Sequence, residues 1–447
     1  MLATAGLRID QAPPMHLPFR FFATAPFFTS LIGCALLWFG RELLITPLLP
    51  VSIGVAHLAI LGWLLMIVMG AMFQMIPVVA GIPVPWLAAI PWIHGLLTLG
   101  ATGMFLGVGL EWRIAWMVPV AQVALLVAVV GFLVLVSMAL VKAPARHPTV
   151  NAMRIAMVAL AGTMLLGVTF LWEYTYGFLD LDRHAMVGIH LTWGLLGVMG
   201  VLIMGVSWQV LPMFYMTPEF STPLANRILV GMVVLLILMP VVLLLVLPDR
   251  PWLIYPAAVP GVAAAWWYGV GTWRMLAGSK RKVVDATMLH WRFGFLCLAL
   301  ALVMLALWPL LPDDQWRLLF GIFYLFGWIA SVMTGMLHKI VPFLVWFHRF
   351  SPLAGLREIP MMDDLSPERA VQVQWYLHVG SVFLLAVAVP TEWDWAARLA
   401  GAAMVATGGV SAYALWFALR NKPPAMPEMP DFASFFKDLP PPPALEG

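Results

Sequence analysis

Charge is what this chain has least of: Asp, Glu, Lys and Arg together make 10% of its 447 residues. A soluble chain carries about a quarter. Hydrophobic residues make up 63%, and the mean hydropathy is +0.95. That balance excludes a soluble globular protein and describes a polytopic membrane protein. Cysteine is almost absent. Cys34 and Cys297 each sit inside an apolar stretch, which excludes a disulfide framework and a cysteine-based zinc motif. Both read as small core residues. Acids are missing from the apolar runs: every Asp and Glu falls in a loop, a tail or a span end. A proton pump or proton-coupled transporter would need one inside. The net charge of +3 is spread over short loops, so nucleic acid is not expected as a partner.

What the chain does have is a repeat. Gly62, Gly70 and Pro77 recur as Gly197, Gly205 and Pro212, and again as Gly327, Gly335 and Pro342, with both gaps preserved. Three residues before each proline stands a polar side chain: Gln74, Gln209 and Lys339. Self-similarity at a fixed period marks a built-in structural unit. A bilayer core needs roughly 20 apolar residues per helix. By that measure the sequence predicts twelve spans: 21–39, 51–77, 86–108, 114–141, 155–178, 185–213, 228–247, 252–273, 290–311, 316–347, 375–390 and 395–419. The expected fold is all-α and integral to the membrane, with twelve transmembrane helices in three pseudo-symmetric four-helix repeats, 21–141, 155–273 and 290–419. Residues 1–20 form a cytoplasmic N-terminal segment. Residues 420–447, with Pro440 to Pro443, read as a proline-rich cytoplasmic tail.

Lys142, Arg146, Arg154, Arg274, Lys280, Arg281 and Lys282 fall in loops on one side, with Arg349, Arg357 and Arg369. The opposite loops hold acids. The positive-inside rule then places both termini in the cytoplasm of an inner, cytoplasmic membrane. The second, sixth and tenth spans carry the repeated signature. Positions seven apart share a helix face, so each glycine and proline lie on one stripe. Gln74, Gln209 and Lys339 lie near it, as a lining for a pathway or as partners for the carbonyls that proline frees.

Ionisable side chains at membrane depth are functional candidates. His57 lies 20 residues before Pro77, and His190 lies 22 before Pro212. The two histidines thus sit at similar depths of repeat-related helices. Imidazole ligates haem iron and copper, and the alternative role is a hydrogen bond to a backbone carbonyl. A two-residue offset turns a side chain by about 200° on an ideal helix, so strictly equivalent directions would need a bulge or a shifted helix. His184 and His338 are weaker ligand candidates. His290 and His378 lie near span ends and read as interfacial. Met66, Met69, Met72 and Met75 form a run that reads as packing, although thioethers can also bind copper(I).

Twelve spans with a histidine in the second resemble the catalytic subunit of haem–copper oxidases. The segments HLAILGWLLMIVMGAMFQMIPVVAG, from His57, and HLTWGLLGVMGVLIMGVSWQVLPMF, from His190, are similar to the NnrS-type branch, as is PFRFFATAPFF near the N-terminus. That branch comprises haem- and copper-associated membrane proteins linked to nitric oxide metabolism. The resemblance implies that His57 ligates haem and that His190 approaches a metal. It departs from an oxidase where residues 228–247 and 316–326 lack histidine, which argues against an oxygen-reducing binuclear centre. Nitric oxide reductase chemistry lacks its carboxylates. The expectation is a haem-binding membrane protein of nitric oxide or respiratory metabolism, with haem and also copper as candidate cofactors. Its partners would be the lipid bilayer and a respiratory complex or electron donor. A permease or metal-handling transporter lined by the Gly/Gln/Pro helices is the alternative, and an assembly factor for a respiratory complex is a third.

Overall fold

The computed structural model describes residues 12–110, 114–143, 147–177, 182–246, 251–281, 283–307, 313–356 and 358–422. The proline-rich tail expected after residue 422, and Arg146, Lys282 and Arg357 in the loops, lie outside the described residues. Among the described residues eleven helices are long and apolar enough to cross a membrane. They are α1 (His16–Leu44), α2 (Pro50–Ala80), α3 (Leu87–Gly109), α4 (Met117–Lys142), α5 (Pro148–Glu173), α6 (Arg183–Tyr215) and α7 (Thr222–Leu245). After α8 come α9 (Ala286–Leu307), α10 (Asp314–Leu353), α11 (Glu368–Thr391) and α12 (Asp394–Arg420). Between them α8 runs over Ile254–Ala277. It is long enough, but its tryptophans, glycines and prolines make it less apolar than the rest. The chain is therefore an all-helical integral membrane protein.

Helices suit this solvent because lipid offers no partner for backbone N–H and C=O groups, so each rod must satisfy its own. Local signals set the ends. Pro50 starts α2 and Pro148 starts α5, where a missing N–H costs nothing. Asp182 accepts from the backbone N–H groups of His184 (2.9 Å) and Ala185 (3.2 Å) and so caps α6. Several spans differ from expectation at their ends. The fifth starts at Pro148 rather than at 155, and the eleventh extends from 375–390 to Glu368–Thr391. In the eleventh, buried polar residues interrupt the apolar count: Gln374 and His378 are enclosed by protein.

The signature glycines do one job three times. A Cβ on Gly70 would meet Phe22, Phe21 and the Pro18 carbonyl of α1. On Gly205 it would meet Ala152 of α5, and on Gly335 it would meet His290 of α9. Gly62, Gly197 and Gly327 face Phe28, Ala159 and Cys297 in the same three helices. Small residues let membrane helices approach closely where lipid supplies no hydrophobic drive. So α2, α6 and α10 each seat on the helix one before them in the run α1–α2, α5–α6, α9–α10. Cys297 is buried in that contact, whereas Cys34 is exposed on α1 rather than part of the core.

The three signature helices share another feature. Each widens into π-helical turns at the same register: Leu58–Leu64 in α2, Thr192–Gly200 in α6 and Ile322–Ala330 in α10. Such turns rotate the residues on either side relative to each other, and they are frequent at functional sites.

Candidate functional site

His57 is the last residue before the wide turns of α2, and His190 lies two before those of α6. The wide segment holds 7 residues in α2 and 9 in α6. Their rings face each other across the two helices, with centroids 6.4 Å apart and planes 33° apart. His57 Nδ1–H donates to the Ile53 carbonyl at 2.7 Å. A bond of that kind fixes the tautomer and leaves Nε2 as the free lone pair. His190 Nδ1 is buried and has no hydrogen-bond partner. Phe170 of α5 packs edge-on against the His190 ring at 5.6 Å. Gly167, one turn earlier, leaves that ring room: only His190 would lie within reach of a Cβ there.

Two metal–nitrogen bonds of about 2 Å and two centroid-to-nitrogen distances of about 1.1 Å add to about 6.2 Å for a bis-imidazole metal. At that separation the two imidazoles could both reach one metal ion placed between them. If haem were bound there, it would bring its own ring nitrogens, and His57 and His190 would be the residues to hold its iron. Among the described residues no three of His, Cys, Asp and Glu group so as to hold a metal ion by themselves.

The other candidate residues sit elsewhere. His184 is exposed in the first turn of α6 and does not join the pair. His338 is buried in α10, with Nε2 unpartnered. It belongs to a second histidine group that spacing alone did not reveal. His290 and His378 are not interfacial but fully buried, with ring centroids 5.6 Å apart. His290 Nε2 pairs with Gln374 Oε1 at 2.8 Å and its Nδ1 with the Ser331 hydroxyl at 3.0 Å, and that hydroxyl donates to the His290 carbonyl at 3.1 Å. His378 also touches the Trp63 ring edge-on at 6.3 Å. This group comes together only because α9, α10 and α11 meet there, so no single stretch of sequence signals it.

Gln74 and Gln209 line one small cavity of ≈ 30 Å³, together with Met75, Met213 and Phe343. Gln74 Oε1 has no partner there. Lys339 is not at that cavity. Its Nζ pairs with Asp285 Oδ2 at 2.8 Å and with Asp363 Oδ1 at 3.3 Å. Arg281 bonds the same two carboxylates, at 3.2 and 2.7 Å. Asp285 Oδ1 accepts from Thr287, which bonds Tyr215 at 2.8 Å. The acid that the apolar runs lack is thus present one residue before α9, with its side chain only 11% exposed.

Burial raises the Asp285 pKa, but the Lys339 ammonium, the Thr287 hydroxyl and the Met288 N–H together outweigh it, and the net shift is downward. A carboxyl with a depressed folded pKa stabilises the fold fully above its unfolded value of about 4. That stabilisation is lost as pH falls through the lower folded value. Thermal unfolding followed from about pH 6 down to about pH 3 should show a falling midpoint. The fall should be shallower in Asp285→Asn, and identical slopes would show that the pairing contributes nothing.

Arg41, Arg317 and Arg398 pair with Glu392, Asp314 and Asp394. No family model and no curated protein matches the sequence.

Proposed function

We propose that this chain is a haem-binding integral membrane protein of nitric oxide or respiratory metabolism, with His57 and His190 as the axial ligands. The observation that carries the reading is the facing pair itself: two imidazoles from separate helices, 6.4 Å between centroids. A buried unpartnered imidazole nitrogen costs about 1–3 kcal/mol, and iron ligation would relieve that at His190. The Ile53 carbonyl orients His57, the role that second partners play for metal-bound histidine. Bound haem would supply a redox-active iron able to take up a diatomic gas or pass an electron. The chain's own contribution is to fix two neutral nitrogens at ligand spacing and to surround them with aromatic and aliphatic side chains.

In the same reading the twelve helices, α8 included, span the membrane as three four-helix units beginning at α1, α5 and α9. The recurring glycine contacts and the wide turns support that organisation. The basic loops support a cytoplasmic side for both termini, in the inner membrane. The test is absorbance. His57→Ala and His190→Ala should each remove the Soret band of the purified protein, or shift it with loss of the low-spin form. Haem retained unchanged in both variants would end the assignment.

One observation favours a second reading, a permease or metal-handling transporter. The three signature helices enclose cavities on their shared axis, and Gln74 and Gln209 face one of them. Lys339 would join such a path only after its ion pairs open.

A further inference from the structure

Arg20 is a cation without a counterpart among the described residues. It lies in the second turn of α1 and is half-buried, and its Nε is buried with no hydrogen-bond partner. The other half-buried arginines are engaged. Arg154 donates to the Leu140 and Ala143 carbonyls, Arg281 to Asp285 and Asp363, and Arg349 to the Leu419 and Asn421 carbonyls. The polar groups next to Arg20 are committed to each other. The Thr24 hydroxyl, one turn on, donates to the Arg20 carbonyl at 2.9 Å and accepts from His94 Nε2–H of α3 at 2.8 Å. Neither brings a negative charge. Between residues 11 and 110 the one acid is Glu42, which lies at the far end of α1. An unpaired arginine at membrane depth is costly, so a partner from outside the chain is called for.

The surroundings indicate which partner. Gly62 meets Phe28 and Gly70 meets Phe22, while Gly54 meets Gly109. Helix α2 therefore runs against both α1 and α3, and those two start at the same end of the bundle. Trp86 and Trp92, at the start of α3, are exposed, as interfacial anchors are. Further along the Trp92 face, Gly95 has no atom within 4 Å of a Cβ, and Leu99 is exposed. On α1, Phe27 is exposed two turns beyond Arg20. A charge at headgroup level with bare apolar surface beyond it suits a lipid. The tails gain contact with Phe27, Gly95 and Leu99, which a soluble anion would not. The phosphate meets the guanidinium, whose paired N–H donors match its oxygens. A zwitterionic headgroup carries its own ammonium beside the phosphate, whereas an anionic one leaves its charge for Arg20.

We propose that Arg20, with the exposed face of α3 at Trp92, Gly95 and Leu99, is a binding site for one anionic phospholipid, its phosphate on the guanidinium and its tails along α3. The site is separate from the His57–His190 pair and does not depend on haem.

The test is native mass spectrometry of the delipidated full-length protein titrated with dioleoylphosphatidylglycerol, with dioleoylphosphatidylcholine and inorganic phosphate in parallel. Phosphatidylglycerol should be retained in preference to phosphatidylcholine, and inorganic phosphate should not displace it. Arg20→Gln should weaken the tightest-bound phosphatidylglycerol about fivefold, the factor equivalent to about 1 kcal/mol for one arginine near the membrane surface. Gly95→Leu fills the bare strip without meeting protein. It should lower retention while the unfolding midpoint in lipid-free detergent stays that of the parent, and it carries the test alone should Arg20→Gln fail to fold. Arg274→Gln, at an exposed arginine near the end of α8, should leave the tightest site unchanged. The proposal falls if the two lipids are retained equally, if inorganic phosphate displaces the lipid, or if both site variants bind like the parent. It also falls if Arg274→Gln weakens retention as much as Arg20→Gln does. Asp10 lies outside the described residues; tighter lipid binding in Asp10→Asn would show that Arg20 already has an acid partner and would overturn the proposal too.

Discussion

Replacing Lys339 by methionine should destabilise the protein by about 3 kcal/mol, because it leaves a buried carboxylate without its main partner. The Lys339 side chain is 8% exposed and Asp285 is 11% exposed, so neither is rescued by bulk water. Breaking a buried pair from one side costs about 3–5 kcal/mol. The lower figure applies here because Arg281 still reaches Asp285 at 3.2 Å. Asp363, which is largely exposed, regains water and adds little. The double variant Lys339→Met with Asp285→Asn should recover much of the loss, since removing both charges leaves nothing unpaired. Denaturation in mixed micelles for the parent, both single variants and the double variant gives the coupling directly. Strictly additive losses, or a Lys339→Met variant within about 0.5 kcal/mol of the parent, would show that the network is not the clamp described here.

Gly401→Leu should be at least as damaging. The α1–α12 contact brings backbone to backbone at three glycines. A Cβ on Gly401 would stand 2.7 Å from the Gly33 carbonyl and 2.8 Å from the Leu37 nitrogen. One on Gly33 would stand 2.6 Å from the Gly401 carbonyl, and one on Gly408 2.5 Å from the Pro26 carbonyl. Backbone cannot swing aside as a side chain can, so the helices must part along their length. Overpacking costs about 1–3 kcal/mol in adaptable sites, and this site should reach or pass the upper figure. Gly409 provides the control, because nothing lies within 4 Å of a Cβ there. Gly409→Leu should leave the detergent-solubilised protein monodisperse with an unchanged unfolding midpoint, while Gly401→Leu aggregates or melts earlier. Equal behaviour of the two would refute the close α1–α12 contact.

Much of the helical layout was legible because its signal is local. Length and apolarity are properties of one stretch, so α2, α3 and α4 could be read almost to their ends. The eighth stretch shows the limit: Trp266, Trp267 and Trp273 suit a helix that meets the bilayer, but they dilute the apolar signal. The repeat was legible too, and the glycines at its marks turn out to be contact points. What the repeat could not show was direction. His57 and His190 looked two residues out of phase, yet their ring centroids lie 6.4 Å apart. Sites built across several helices were hidden for the same reason. His290 and His378 sat near the ends of their stretches and read as interfacial, yet Gln374 and Ser331 enclose them. Asp285 read as a loop acid, because nothing local says that Lys339, more than fifty residues on, will cover it. The methionines of α2 read as packing, and Met66, Met69 and Met72 are indeed buried in the core.

The central claim is that two facing histidines hold haem. The most direct test is an absorbance spectrum of the detergent-purified protein from haem-replete cells, oxidised and then dithionite-reduced, with iron measured on the same sample. A Soret band with near-stoichiometric iron, and sharpened visible bands on reduction as for a low-spin bis-imidazole haem, is the predicted result. A colourless, iron-free preparation would contradict it and leave His57 and His190 as structural residues.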